Sequence, residues 1–172
     1  LTNQIAEAPK SDALASKIDG EWVPISSQEV QSQANLVSLG LVSLGLKRGD
    51  KVAIISMNRP EWMLADFGIS QIGATSVPMY PSITVEDYKY IFTDAGVRAV
   101  FVADQKLFDT VKDATDGLDI PAENVFTFVT LQGACHFSEL LDIGKNGNTP
   151  TLQPLAAPVQ PAAHLPHISP IH

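Results

Sequence analysis

The 172-residue sequence has one cysteine, Cys135, so it can form no internal disulfide, a usage that suits a reducing compartment. Eleven Lys and Arg face 19 Asp and Glu, a net charge of −8, and no basic cluster exceeds the pair Lys47-Arg48. Such a surface is expected to take neither nucleic acid nor an anionic membrane. No apolar run approaches the roughly 20 residues of a membrane span. The first residues lack the order of a secretory leader, because Glu7, Lys10 and Asp12 interrupt them. Glycines stand singly at turns and helix ends, with no G-x-G-x-x-G and no loop in which backbone N–H groups could surround a phosphate. No spaced carboxylate pair reads as acid and base. At 45% hydrophobic, the chain supports one domain with a real core. The composition reads as an acidic α/β protein of the cytoplasm, and a start at Leu1 rather than Met reads as numbering that begins inside a longer chain.

What is present is organised around Leu36–Pro81. Val52-Ala53-Ile54-Ile55 is a continuous apolar run bounded by turn residues, the pattern of a strand covered on both faces. Gly45 marks a helix end, Gly49-Asp50 a turn, and Asn58 is expected to cap the next helix, with Pro60 in its first turn and Glu61 at the capping-box position. Upstream, Leu1–Asp19 is weakly patterned, and Gly20–Ile25 reads as a short strand that Pro24 keeps near an edge. Ser26–Glu29 is a capping box opening a helix to about Leu44, with Val30, Ala34, Val37, Leu41 and Leu44 as its apolar stripe. Gly40 inside that helix predicts a close helix contact.

Downstream the expected elements alternate: strand 51–57, helix 59–72, strand 74–80, a helix capped by Thr84 and ended by Gly96, strand 97–103, a helix capped by Asp104, strand 125–129, and a last helix from Ser138 to Gly144. That spacing predicts a doubly wound, mostly parallel α/β sheet with helices on both faces. The organisation read from it is an N-terminal arm with a short edge strand over 1–25, an α/β unit over 26–145, and a tail over 146–172. The tail holds six of the twelve prolines and no charged residue, which predicts an extended, disordered or artefactual end.

The run from Gly45 to Ser82 resembles the N-terminal part of the AMP-forming acyl-CoA synthetases, the long-chain fatty acid–CoA ligases in particular. The matching points are Gly49-Asp50, Asn58-Arg59-Pro60-Glu61-Trp62, Gly73-Ala74 and Val77-Pro78-Met79-Tyr80-Pro81, with Gly20-Glu21-Trp22 and Tyr88-Lys89-Tyr90-Ile91 in support. The resemblance implies an enzyme that turns a fatty acid, ATP and CoA into acyl-CoA, AMP and pyrophosphate through an acyl-adenylate, with Mg²⁺. It also implies that the family's phosphate loop, ribose-binding Asp and C-terminal Lys would lie beyond His172. The tail does not resemble the family's lead-in to that loop, so a truncated or frameshifted end is expected. On this reading the chain is an N-terminal subdomain, inactive alone and binding no cofactor tightly. Its partner is the missing remainder of the same protein, and in its absence the chain is expected to self-associate. Two alternatives stay open: another adenylating acid ligase of the superfamily, and a non-catalytic α/β interaction module.

Ligands of open α/β sheets sit beyond the carboxyl ends of the strands. Asn58 and Arg59 stand at such an end and at a helix N-terminus, so they are candidates to contact an acyl or nucleotide phosphate; the alternative is a plain cap and a surface ion pair. Trp62 could line an acyl tunnel or fill the core, and Tyr80 could face a pocket or simply wet its hydroxyl at a strand end. Cys135-His136 has no acid partner or oxyanion-hole motif, which argues against a nucleophile. His164, His167 and His172 are poorly placed for a metal because Pro166 breaks any helix that would align them. No catalytic and no metal residue is expected within this chain.

Overall fold

The computed structural model describes residues 2–147. Residues 148–172, with the prolines and three histidines of the expected tail, lie outside the described residues, whereas Asn146, the first residue assigned to that tail, ends the last helix. Two sheets are present among them: a two-stranded hairpin and a five-stranded sheet in which every pairing is parallel.

The N-terminal part is more ordered than its sequence pattern suggests. Helix α1 (Thr2–Glu7) is followed by β1 (Leu14–Ile18) and β2 (Glu21–Ile25), which pair antiparallel around Asp19-Gly20. Both turn residues have positive φ, 49° and 87°, the two-residue geometry whose twist matches flanking strands. The strand expected at Gly20–Ile25 is one arm of a two-stranded hairpin separate from the main sheet, so Pro24 lies on an edge strand. The hairpin leads straight into α2 (Ser27–Ser43), whose capping box joins Ser26 and Glu29 as the sequence predicts.

The main sheet contains β3 (Lys51–Ile55), β4 (Thr75–Met79), β5 (Val97–Val102), β6 (Val125–Thr127) and β7 (Cys135–His136), in the order β4-β3-β5-β6-β7. Between them lie α3 (Pro60–Gln71), α4 (Val85–Ala95) and α5 (Gln105–Thr115), with α6 (Phe137–Asn146) closing the described chain. Alternate residues of the central strands feed two cores. Val52, Ile54, Ala99 and Phe101 pack with α2, α3 and α6; Ala53, Ile55, Val100 and Val102 pack with α4 and α5. A strand covered on both faces must be apolar at every position, which is why the continuous run Val52–Ile55 is legible without alternation.

Gly40 has the close contact its position implies: a Cβ there would stand 2.5 Å from the Leu140 carbonyl oxygen. Gly68 and Gly144 play the same part where α3 and α6 cross α2, against Val37 and Leu36. The small residues let three helices lie close on one face of the sheet, and the buried Ser38 ties two of them, its hydroxyl lying within hydrogen-bond distance of the Ala34 carbonyl on its own helix and the Gly68 carbonyl on α3.

One cap and one helix start differ from expectation. The N-cap of α3 is Arg59, not Asn58, and no side chain caps it; Glu61 is at the second helical position and makes no capping box. The cause is Pro60, which occupies the first helical position and drives the preceding residue into extended backbone, φ −158° and ψ 158° at Arg59. Helix α6 starts at Phe137, one residue before the expected Ser138, and its N-cap is His136, with Glu139 completing a capping box. Thr84 with Asp87, and Asp104 through Leu107, cap α4 and α5 as predicted.

Candidate functional site

The strand order reverses about β3: the chain leaves it to one side for β4 and returns past it to β5. The loops leaving the carboxyl ends of β3 and β5 diverge there, and such a switch point is where an open α/β sheet forms a crevice. A cleft of about 1150 Å³ occupies this position. Its floor is Ser56–Met63 on one side and Ala103-Asp104 on the other, and the β1–β2 hairpin forms its roof through Leu14–Ile18 and Trp22.

The cleft is apolar where it is deepest in aromatic surface. It takes both tryptophans of the chain, Trp22 and Trp62, and two of its three methionines, Met57 and Met63. Trp62 is half-buried against the α2–α3–α6 core, whereas Trp22 and Met57 are 70% and 73% exposed. A large apolar side chain left that exposed beside a cavity is surface available to an apolar ligand or partner.

Its polar groups are mostly committed. The Arg59 guanidinium makes two hydrogen bonds to the Glu61 carboxylate, at 2.8 and 3.1 Å, donates to the Phe128 carbonyl at 3.4 Å and lies 5.0 Å above the Phe128 ring. Burial pushes the Glu61 carboxyl up, yet the hydrogen bonds and charge of Arg59, with a smaller contribution from His136, hold it below its ordinary value. Asp104 spends its carboxylate on the Leu107 N–H, 3.0 Å away. Lys17 is exposed at the rim, with no ion-pair partner among the described residues.

The structure thus brings Asn58, Arg59 and Trp62 together and leaves Tyr80 elsewhere. Asn58 is exposed on the cleft margin and caps nothing. Arg59 is engaged with Glu61 and Phe128, and so is not presented to a phosphate at the α3 N-terminus. Tyr80 is 79% exposed at the end of β4, outside the cleft lining, and its carbonyl accepts the Tyr88 hydroxyl at 2.7 Å. The family resemblance permits a small hairpin here; that it roofs the cleft is what sequence reasoning missed. Its signal was the Asp19-Gly20 dipeptide between Leu14, Ser16, Ile18 and the strand at 21–25, a two-residue turn flanked by alternating residues.

A nucleotide and its metal do not fit these residues. Among the described residues no group of three His, Cys, Asp or Glu could hold a metal ion. No run of glycines places successive N–H groups around one point, and the one guanidinium in the cleft is already neutralised. Cys135 does not supply a nucleophile either: burial, then the nearby Glu139 and Glu123 charges, push its thiol above the ordinary range. No helix among the described residues is long and apolar enough to cross a membrane.

The model of one enzyme family, the AMP-binding enzymes, matches residues 1–163. Over 84 residues, 49% of the chain, the sequence is 37% identical to a long-chain-fatty-acid–CoA ligase of Mycobacterium bovis, and that stretch is 14% of the ligase. It is 31% identical over 114 residues to an uncharacterized protein of Mycobacterium tuberculosis, a match spanning 66% of this chain and 62% of the other. The fold superposes on a benzoate CoA ligase of Burkholderia xenovorans with a TM-score of 0.63 and 20% identity, covering 77% of this chain and 26% of the ligase. The chain therefore spans a small part of the ligase relatives it matches.

Proposed function

Because this chain belongs to the family of AMP-binding enzymes, we propose that it is the N-terminal α/β subdomain of an AMP-forming ligase that joins a long-chain fatty acid to CoA. The observation that carries this reading is the identity with a long-chain ligase across half of the chain. The intact enzyme would convert fatty acid, ATP and CoA into acyl-CoA, AMP and pyrophosphate. ATP, Mg²⁺ and CoA are assigned to the remainder of the enzyme, since the described residues here do not fit them. This chain's contribution is the apolar cleft: Trp22, Trp62, Met57 and Met63 suit an acyl chain, and Lys17 suits a carboxylate at the rim. Alone, the 172 residues carry out no adenylation.

A chimera tests the reading. The equivalent segment of the Mycobacterium bovis ligase is replaced by this chain, and palmitate-dependent ATP–pyrophosphate exchange is measured. Retained exchange with palmitate, together with none from the 172 residues alone, is the expected result. A chimera that folds but responds only to an aryl or short-chain acid would move the chain to another adenylating ligase. Exchange by the isolated chain would sink the assignment of adenylation to the remainder.

The mycobacterial relative of much the same length as this chain favours a second reading, a free-standing α/β module without chemistry. The two differ in solution behaviour. A subdomain with Trp22, Met57 and Ile18 exposed for a missing neighbour self-associates, whereas an independent module is monodisperse by light scattering.

A further inference from the structure

Helix α6 has an unusual start. Its N-cap is His136, whose Nδ1 accepts the Ser138 backbone N–H at 3.2 Å, while the His136 backbone N–H donates to Glu139 Oε1 at 2.7 Å. Accepting an N–H requires a bare Nδ1, so the proton of the neutral ring is on Nε2. Serine, threonine, aspartate and asparagine caps keep their acceptor across the neutral pH range; an imidazole does not. Once protonated, Nδ1 is a donor. The Ser138 N–H then loses its partner, and a positive charge stands at the positive end of the helix dipole. The Ser138 hydroxyl, 2.7 Å from Nδ1, can accept from the new N–H but does nothing for the orphaned backbone donor.

We propose that His136 is a proton-operated cap, closing the first turn of α6 when its ring is neutral and opening it when the ring is charged. The carboxylates nearest to it are Glu61 on α3 and Glu139 on α6, with Glu123 close by Cys135. Glu61 is already neutralised by Arg59, and Glu139 is committed to the His136 N–H. Glu139 accepts from the His136 N–H and Glu61 from Arg59, so neither takes the Ser138 N–H.

The opening has somewhere to go. Phe137, the first residue of α6, packs edge-on against Phe128 with ring centres 5.5 Å apart, and the Phe128 ring carries the Arg59 guanidinium on its face. Arg59 is the N-cap of α3 and part of the cleft wall. One chain of packed groups therefore joins the protonation site to the cleft, and acid is expected to loosen both. This inference does not depend on the identity of the ligand.

The test is amide hydrogen exchange by NMR on the whole chain, alongside the ring signals of His136. In the neutral form the ring spectrum shows a bare Nδ1. As the pH falls through the ring's own titration, protection of the first-turn amides of α6 drops about fivefold, the equivalent of a typical ~1 kcal/mol cap. His136→Asn, a cap that does not titrate, keeps its protection across the same range. His136→Ala is poorly protected at both ends. A protonated Nδ1 in the neutral ring, unchanged protection through the titration, or the same loss in His136→Asn would each overturn the proposal.

Discussion

The backbone of Gly40 passes the carbonyl of Leu140 so closely that a Cβ would sit 2.5 Å from its oxygen, and this seam holds α6 against α2. A methyl group there cannot rotate away, because the obstacle is backbone as well as the Leu140 side chain.

Gly40→Ala is therefore expected to destabilise the fold, although alanine is the better helix former by about 1 kcal/mol. Overpacking of about 1–3 kcal/mol exceeds that gain. Urea unfolding reads the difference as a lower midpoint at unchanged slope. A midpoint equal to or above that of the parent would mean that the helices separate at little cost.

Glu61 gives the cleft wall a defined response to acid. Its carboxyl is lowered in the folded state, so its contribution to stability is present above the unfolded value, about pH 4.3, and is lost as pH falls through the folded value. Glu61→Gln is expected to be less stable than the parent at pH 7, with the gap closing below about pH 4.3. The gap is modest, because both partners are partly solvated, at 27% and 33% side-chain exposure. A gap constant from pH 7 to pH 3 would show that the pair with Arg59 contributes nothing through charge.

Cys135 is expected to react sluggishly with iodoacetamide at pH 7, since burial and the Glu139 and Glu123 charges favour its thiol over the thiolate. Glu123→Gln removes one of those charges without touching the α6 cap, and should raise the rate modestly. A parent rate matching that of a small free thiol would contradict this account.

The roof of the cleft depends on Gly20, where φ is 87° and a Cβ would meet nothing within 4 Å. A substitution there is opposed by backbone conformation alone. Gly20→Val is expected to loosen the hairpin by about 1 kcal/mol or more while leaving the main sheet intact. In a Trp62→Phe background the position and anisotropy of the tryptophan emission report on Trp22 alone, and global urea unfolding should barely move. A hairpin unchanged by both measures would mean that the turn is not held in its two-residue form.

Local rules made much of this fold readable. Val52–Ile55 is apolar at every position because its strand is covered twice, and the caps at Ser26, Thr84 and Asp104 sit where short-range hydrogen bonding alone places them. The misplaced cap of α3 and the early start of α6 show where local reading stops. At Arg59 the steric demand of Pro60 outweighed the good capping chemistry of Asn58, and at His136 the two-residue strand β7, paired with β6, set the point from which α6 could start.

The candidate site divides in the same way. Composition and spacing alone determined an acidic α/β chain without a phosphate loop, and placed Asn58, Arg59 and Trp62 at a strand's carboxyl end. Only the tertiary structure decided that a hairpin roofs that end, that Trp22 and Trp62 line one cleft, and that Phe128, 69 residues away, occupies Arg59. Those contacts join segments far apart in the chain, and their free energy comes from apolar burial, a hydrogen bond and a cation–π contact that exist only once the sheet has assembled.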